Sequence, residues 1–333
     1  MTLRIGFLRR ESSHGSGSDN VHLFAGKFEV SMEEGKFVTL NVSEHQFKTH
    51  YHEVGGRGKP CVVFAQTGGA GTSAYMCWHL NMKAFANAGF HVFAPDFLGF
   101  GYTEKISGQG ERVNTTEMLS AFMDALEIDQ AHFVGNSMGS NAATKFAIEC
   151  PIRVKSLILT GGEPRVESEE SRTIASNLGK TARTDFVREM LSKPEVSLED
   201  IRRATADFFY DPDHPRIDEI AKMRLEILRR SGMREKARDH AFKQTERGRS
   251  NFQAAELKKI HAPTYLIHGR DERLFYSHEI GGSLLKAAIE VALIVPSCSM
   301  TVLSGCAHWP QIEKAETFNT LALQFLNEVG DRG

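Results

Sequence analysis

Two short runs, CVVFA (61–65) and HVFAP (91–95), are apolar without interruption, and what surrounds them leaves few folds open. A strand with one face in water alternates apolar and polar residues. A continuous run is expected where helices cover both faces of a strand. Upstream, KFVTLNV (36–42) and HQFKTHYHEV (45–54) do alternate, so the sheet is predicted to begin antiparallel at its edge and turn parallel inside. Strand and helix then succeed one another: a helix near 114–127, AHFVG (131–135), a helix near 138–149 and VKSLILT (154–160). After a long gap come TYLIHGRD (264–271), a helix around 278–289, a strand within 299–304 and a final amphipathic helix near 315–328. This order predicts an α/β protein built on a mostly parallel sheet.

The gap, 163–258, is polar and helical, with spaced apolar positions in DFVREML, LEDIRRATADFF and DEIAKMRLEILRR. It reads as an inserted helical cap, which leaves 21–162 and 259–333 as the core. The first twenty residues, with a short apolar stretch, arginines and a Ser/Gly-rich tract, read as a flexible N-terminal arm that lacks the apolar region of a signal peptide.

Length and charge narrow the function. A chain of 333 residues with 41% hydrophobic content can bury a large core, and a formal net charge of −2 lacks the basic excess of a polyanion binder. No apolar run reaches the ~20 residues of a membrane helix. Nucleic acid and membrane are therefore not expected partners; a homo-oligomer is left open. Cys61, Cys77, Cys150, Cys298 and Cys306 are an odd number without a CxxC pair, which fits reduced thiols and a cytoplasmic location.

Between AHFVG and the helix that follows stands Gly135-Asn136-Ser137-Met138-Gly139, a G-x-S-x-G sequence. In a strand–turn–helix setting this is a nucleophile elbow, whose glycines permit a turn sharp enough to expose the serine. A serine hydroxyl needs a histidine base, and the histidine needs an acid to fix its tautomer. On sheets carrying such an elbow the chain order is Ser, acid, His. Asp271, at the end of TYLIHGRD, is the expected acid. Glu163, after LILTGG, competes for the role, and Asp96 breaks the order. His308, in SGCAHWPQIE after the last strand, is the expected base; His268 and His261 fit less well. The glycine-rich AQTGGAGTS (65–73) offers backbone N–H groups for an oxyanion, with Gly68 and Met138 the expected pair. It is not a phosphate loop, since no GK[ST] follows, and its spacing is not G-x-G-x-x-G.

With these residues in place, 36–328 resembles the α/β-hydrolase superfamily and, within it, the meta-cleavage product hydrolases. Those enzymes cleave a carbon–carbon bond in ring-fission products of aromatic catabolism. The resemblance rests on GNSMG (135–139), DFLGFGYTEK (96–105), GRDER (269–273) and CAHWPQIE (306–313). Asn136 before the nucleophile and Trp309 after the histidine are its more specific marks. It implies an α/β-hydrolase fold, a small-molecule ring-fission product as partner and no cofactor. It also implies a substrate pocket that includes Gly69, Cys77, Asn136 and Trp309, and a cap arginine, Arg224 at the end of FFYDPDHPRIDEIAKMR, that holds the dienoate carboxylate. Three features depart from the pattern: Gln66-Thr67 opens the oxyanion loop, Cys77 stands where the family has Asn, and VALIVPSCS makes the segment before His308 longer. An ester or thioester hydrolase with the same triad is the alternative reading, and a non-catalytic ligand-binding protein a more distant one.

Overall fold

The computed structural model describes residues 35–104, 114–161, 164–169, 171, 182–230, 232–235, 251–272 and 281–330. The N-terminal arm, Glu163 and the boundary at 162/163 lie outside the described residues. In chain order the elements are β1 (Lys36–Val42), β2 (His45–Val54), β3 (Cys61–Ala65), α1 (Ala74–Asn87), β4 (His91–Pro95), α2 (Thr115–Ala125), β5 (Ala131–Asn136), α3 (Met138–Glu149) and β6 (Val154–Thr160). Then follow α4 (Ala182–Ser192), α5 (Leu198–Ala206), α6 (Ile217–Arg229), α7 (Ala254–Leu257), β7 (Thr264–Gly269), α8 (Gly281–Ile294), β8 (Cys298–Leu303), α9 (Pro310–Glu313) and α10 (Ala315–Gly330).

The eight strands form one sheet in the order β1-β2-β4-β3-β5-β6-β7-β8. β1 and β2 pair antiparallel, β2 joins β4 antiparallel, and every remaining pair is parallel. The chain leaves β3 toward β4 on one side and returns to β5 on the other. The loops after β3 and β5 therefore diverge, and open α/β sheets bind ligands in the crevice this creates. The glycine-rich loop expected to hold an oxyanion follows β3, and the elbow follows β5.

The period of two along buried strands divides the core. Val62 and Phe64 join Trp78, Phe85, Ile267, Trp309 and Phe318 in one cluster, while Val63 and Ala65 join Phe93, Phe122, Phe133, Phe146 and Leu266 in the other. A third, smaller cluster holds the inserted helices together: Met190 and Leu191 of α4, Ile201 and Ala204 of α5, Ala221 and Leu225 of α6. Ala70 of the glycine-rich loop after β3 packs into that third cluster, so the inserted helices seat directly on that loop.

Two elements differ from the sequence reading. α1 is not among the helices that apolar spacing predicts, because apolar residues lie on more than its buried face: Ala74, Met76, Cys77, Trp78, Met82 and Phe85 are inside, and Tyr75, Leu80 and Ala86 are half-buried beside them. Its start is marked instead by a cap, Ser73 Oγ accepting from the Met76 N–H at 3.1 Å. The segment VALIVPSCS, which lengthens the chain before His308, forms the last turn of α8, the short link after it and the start of β8. Among the described residues no helix is long and apolar enough to cross a membrane.

α3 lies so close to the sheet that a Cβ on Gly139 would stand 2.0 Å from the Ala65 carbonyl oxygen. Backbone on both sides cannot yield cheaply. Gly139→Ala should therefore destabilise the fold by about 3 kcal/mol in urea denaturation, near the top of the usual single-substitution range. Gly330→Ala, where a Cβ meets open space, should change little.

Candidate active site

Ser137 sits at the strand–helix junction with φ 52° and ψ −111°. A non-glycine residue at positive φ is strained by about 1–3 kcal/mol and persists only where its surroundings impose it. Those surroundings are plain. A Cβ on Gly135 would lie 2.6 Å from the Gly139 backbone, the Ser137 N–H donates to Thr160 O at 2.9 Å, and Ser140 Oγ bridges the Gly135 and Thr160 carbonyl oxygens at 2.7 and 2.9 Å. Ser137 also occupies the N-cap of α3, yet its side chain makes no cap hydrogen bond. The hydroxyl of a half-buried serine is thus left to do something other than close the helix.

The loop after β8 meets the elbow at Gly161. A Cβ there, at φ +80°, would lie 2.5 Å from Asn136 Nδ2, 3.0 Å from Ser137 N and 3.2 Å from His308 O. Only glycine lets these three segments converge. Asn136 Nδ2 donates to His308 O at 3.1 Å, so the residue before the nucleophile fixes the main chain of the histidine.

The imidazole of His308 is 1% exposed, and its Nδ1 lies 2.7 Å from Glu272 Oε2, itself 1% exposed. This corrects the expectation for Asp271. Asp271 turns the other way, accepting from the Gly305 N–H at 2.6 Å and pairing with Arg270 at 3.1 Å. Just past a strand end neighbouring side chains still point apart, so only one of Asp271 and Glu272 can face the imidazole. The longer carboxylate is the one directed inward. Asp96 is also accounted for: it accepts from the Ala74 and Tyr102 N–H groups at 2.6 and 2.9 Å and lies 2.7 Å from His50 Nδ1, bracing the loop after β4. His268, on β7, is buried and carries a pKa pushed down to about 4, chiefly by that burial. It is neutral in the ordinary pH range, and its Nε2 has no hydrogen-bond partner among the described residues.

Gly68 lies against Met138: a Cβ on it would meet Met138 Sδ at 3.2 Å and Met138 Cβ at 3.4 Å. Gly68 and Gly69 are half-buried. Met138 is the first residue of α3, where a backbone N–H has no partner within the helix. The positive end of the helix points the same way, which suits a developing anion. Gln66 fills the place left by a different residue in the family pattern: its Oε1 accepts from the Phe97 N–H at 3.2 Å and joins the loops after β3 and β4.

The inserted helices supply Arg224. It is 1% exposed, its Nε donates to Ala70 O at 3.0 Å, its Nη1 donates to Thr205 Oγ1 at 2.8 Å, and its guanidinium carbon lies 5.5 Å from the centre of the Phe208 ring. A buried guanidinium is costly without partners. Here it ties the loop after β3, at a point two residues from Gly68, to α5. Trp309 is fully buried and stacked on Phe208, ring centres 4.0 Å apart and planes 4° apart. Cys77 is buried, accepts from Gln311 Nε2 at 3.4 Å, and its thiol is pushed up to about 12 by burial. That makes it a packed interior residue and not a nucleophile. Among the described residues no group of three or more His, Cys, Asp or Glu side chains could hold a metal ion.

The position of Glu272 in sequence offers one signal, namely that it is the next residue after the strand-end acid. Alternation alone does not say which of the two faces the histidine. The consequence is measurable. Glu272→Gln should lower kcat by about 10³–10⁴ through loss of the correct imidazole tautomer, whereas Asp271→Asn should leave most of the activity and cost about 1–2 kcal/mol of stability. Steady-state kinetics and denaturation of the two variants decide between them.

The family defined by the alpha/beta hydrolase fold matches residues 60–315. A 2-hydroxy-6-oxononadienedioate/2-hydroxy-6-oxononatrienedioate hydrolase from Paraburkholderia phymatum is 30% identical, over 88% of this chain and 96% of its own. The protein of the same description from Burkholderia vietnamiensis is 29% identical, over 87% and 95%. A solved structure of a mutant meta-cleavage product hydrolase from Pseudomonas fluorescens, complexed with acetates, aligns with TM-score 0.70 and 26% identity over 87% of this chain and 97% of its own. With an elbow at Ser137, a buried His–Glu pair and a sheet in this order, the chain belongs to the α/β-hydrolase family and, within it, to the meta-cleavage product hydrolases.

Proposed function

We propose that this protein hydrolyses a carbon–carbon bond in a ring-fission product of the 2-hydroxy-6-oxo-hexa-2,4-dienoate type, releasing a 2-hydroxydienoate and a carboxylic acid. The observation that carries the reading beyond a generic hydrolase is Arg224. An ester hydrolase needs no buried guanidinium beside its oxyanion loop, whereas a dienoate needs a cation for its carboxylate.

The residues 163–258 act as a cap over the core, and Ser137, His308 and Glu272 act together beneath it. Proton transfer through His308 takes the substrate from its dienol to the keto form, so that a carbonyl stands ready to accept the electron pair of the bond to be broken. Glu272 holds the imidazole by Nδ1 and leaves Nε2 to the reacting groups. Ser137, or a water activated by His308, adds to the distal carbonyl carbon. The oxyanion so formed accepts from the Gly68 and Met138 N–H groups. The carbon–carbon bond then breaks, its electron pair passes into the dienolate, and the acyl half leaves as the acid after addition of water. Arg224, with Gly69, Asn136, Cys77 and Trp309 around the pocket, orients the dienoate end. The protein works as a soluble cytoplasmic enzyme on this small molecule.

The test uses two substrates. Ser137→Ala should lower turnover of a coloured ring-fission dienol by several orders of magnitude, followed by loss of its visible absorbance, while binding persists. Arg224 also holds Ala70 O, so Arg224→Gln should slow cleavage of a neutral aryl ester by loosening the oxyanion loop. Its effect on the dienol should exceed that by about 2 kcal/mol in kcat/KM, the contribution of a charge-assisted bond. Equal losses on both substrates would reduce Arg224 to a structural tie, and no dienol consumption by the unaltered protein would overturn the substrate assignment.

A further inference from the structure

Two residues before α10, the last residue of α9 makes an unusual pair of contacts. Glu313 Oε1 accepts from the Ala307 N–H at 2.8 Å, and Glu313 Oε2 accepts from the Tyr210 N–H at 2.7 Å. Ala307 precedes His308 in the loop after β8; Tyr210 belongs to the inserted segment between α5 and α6. One carboxylate thus spans the two parts of the molecule. Two further contacts lie alongside: the His308 N–H donates to Phe208 O at 3.1 Å, and Phe208 stacks on Trp309.

We infer that Glu313 is a positioning residue whose carboxylate locks the inserted segment at Tyr210 to the histidine loop at Ala307, so that seating the segment and placing the His308 imidazole become a single event. The inference rests on the reading of His308 as the base of this site.

The chemistry of the contact restricts what can replace it. A carboxylate accepts on both oxygens, and here both face N–H donors. A protonated carboxyl, or the amide of glutamine, has the same shape but turns a donor toward one of those N–H groups. It can keep only one of the two bonds. Burial works against the ionised form and pushes the Glu313 carboxyl up to about 7, offset by the donors from Tyr210, Ala307 and Trp309 and reinforced by the Glu272 charge. The other groups around it are Cys306 and His308 on the same loop, Lys314 next in the chain, Asp271 beyond β7, and Tyr210 and His214 from the inserted segment. The sign follows. Above about pH 7 the carboxylate is present and both bonds stand; as pH falls through that value the proton arrives and one bond is lost.

Amide hydrogen exchange tests this without any substrate, so its result does not depend on which molecule the enzyme cleaves. In the unaltered protein, protection of the Tyr210 and Ala307 amides, corrected for the intrinsic rate, should be high at pH 8.5. Protection of at least one should fall by roughly tenfold at pH 5.5. In Glu313→Gln the same loss should be present at both pH values. Kinetics on the dienol should show kcat lowered by roughly tenfold to a hundredfold in Glu313→Gln with KM little changed, because the imidazole and not the substrate is misplaced. Pre-steady-state labelling of Ser137 by a fluorophosphonate should slow in parallel, which separates an error in the substrate from an error in the tie. Wild-type protection at both amides in Glu313→Gln, or protection independent of pH in the unaltered protein, would overturn the inference. So would a variant that loses thermal stability yet labels at the wild-type rate.

Discussion

The close approach of α3 to the central strands is the constraint on which the rest depends. Gly135 and Gly139 let the helix lie against the Ala65 and Gly135 backbones without an intervening Cβ, and that approach holds Ser137 at positive φ. Strain stored at one residue has to be balanced by contacts that cannot be made in any other arrangement. Here they are the Ser137 N–H to Thr160 O bond and the three contacts of Ser140 Oγ with Gly135 and Thr160. Gly161 carries the same logic one strand further, since it brings Asn136, Ser137 and His308 to a common point. The serine, the histidine loop and the helix N-terminus therefore converge through backbone packing, before any side chain of the site is considered.

A second layer of the design joins the inserted helices to this frame by polar contacts at the places where chemistry is expected. Arg224 reaches Ala70 O in the loop after β3, Phe208 O receives the His308 N–H, and Glu313 reaches back to Tyr210. The apolar contribution is the stack of Phe208 on Trp309 and the inclusion of Ala70 in the core of the inserted helices. An inserted segment attached only by apolar contact could slide. Directional bonds to the two loops fix where it stops.

Buried ionisable groups near the site divide into those that are paired and those that are silenced. Glu272 with His308, and Asp96 with His50, are pairs at 2.7 Å. His268 is kept neutral and the Cys77 and Cys306 thiols are kept protonated by burial. This leaves proton traffic to few groups, as the proposed passage from dienol to keto form requires.

Much was legible in the sequence because it depends on local pattern. Continuous apolar runs marked the inner strands, alternation marked β1 and β2, and Gly135, Ser137 and Gly139 between strand and helix marked the elbow, since only glycine tolerates the contacts a sharp turn creates. His308 followed from chain order. What the pattern could not determine was direction. Asp271 and Glu272 are adjacent acids just past the end of β7, and which of them meets the imidazole is decided by how the chain leaves β7 beside the loop after β8, where the Gly305 N–H captures Asp271. α1 escaped notice because the apolar Tyr75, Leu80 and Ala86 lie outside its buried face and blur the stripe that reveals a helix. The reach of Arg224 to Ala70, and of Glu313 to Tyr210, joins residues 154 and 103 positions apart. Such partners are chosen by packing the inserted helices onto the sheet, and no local rule of sequence encodes that choice.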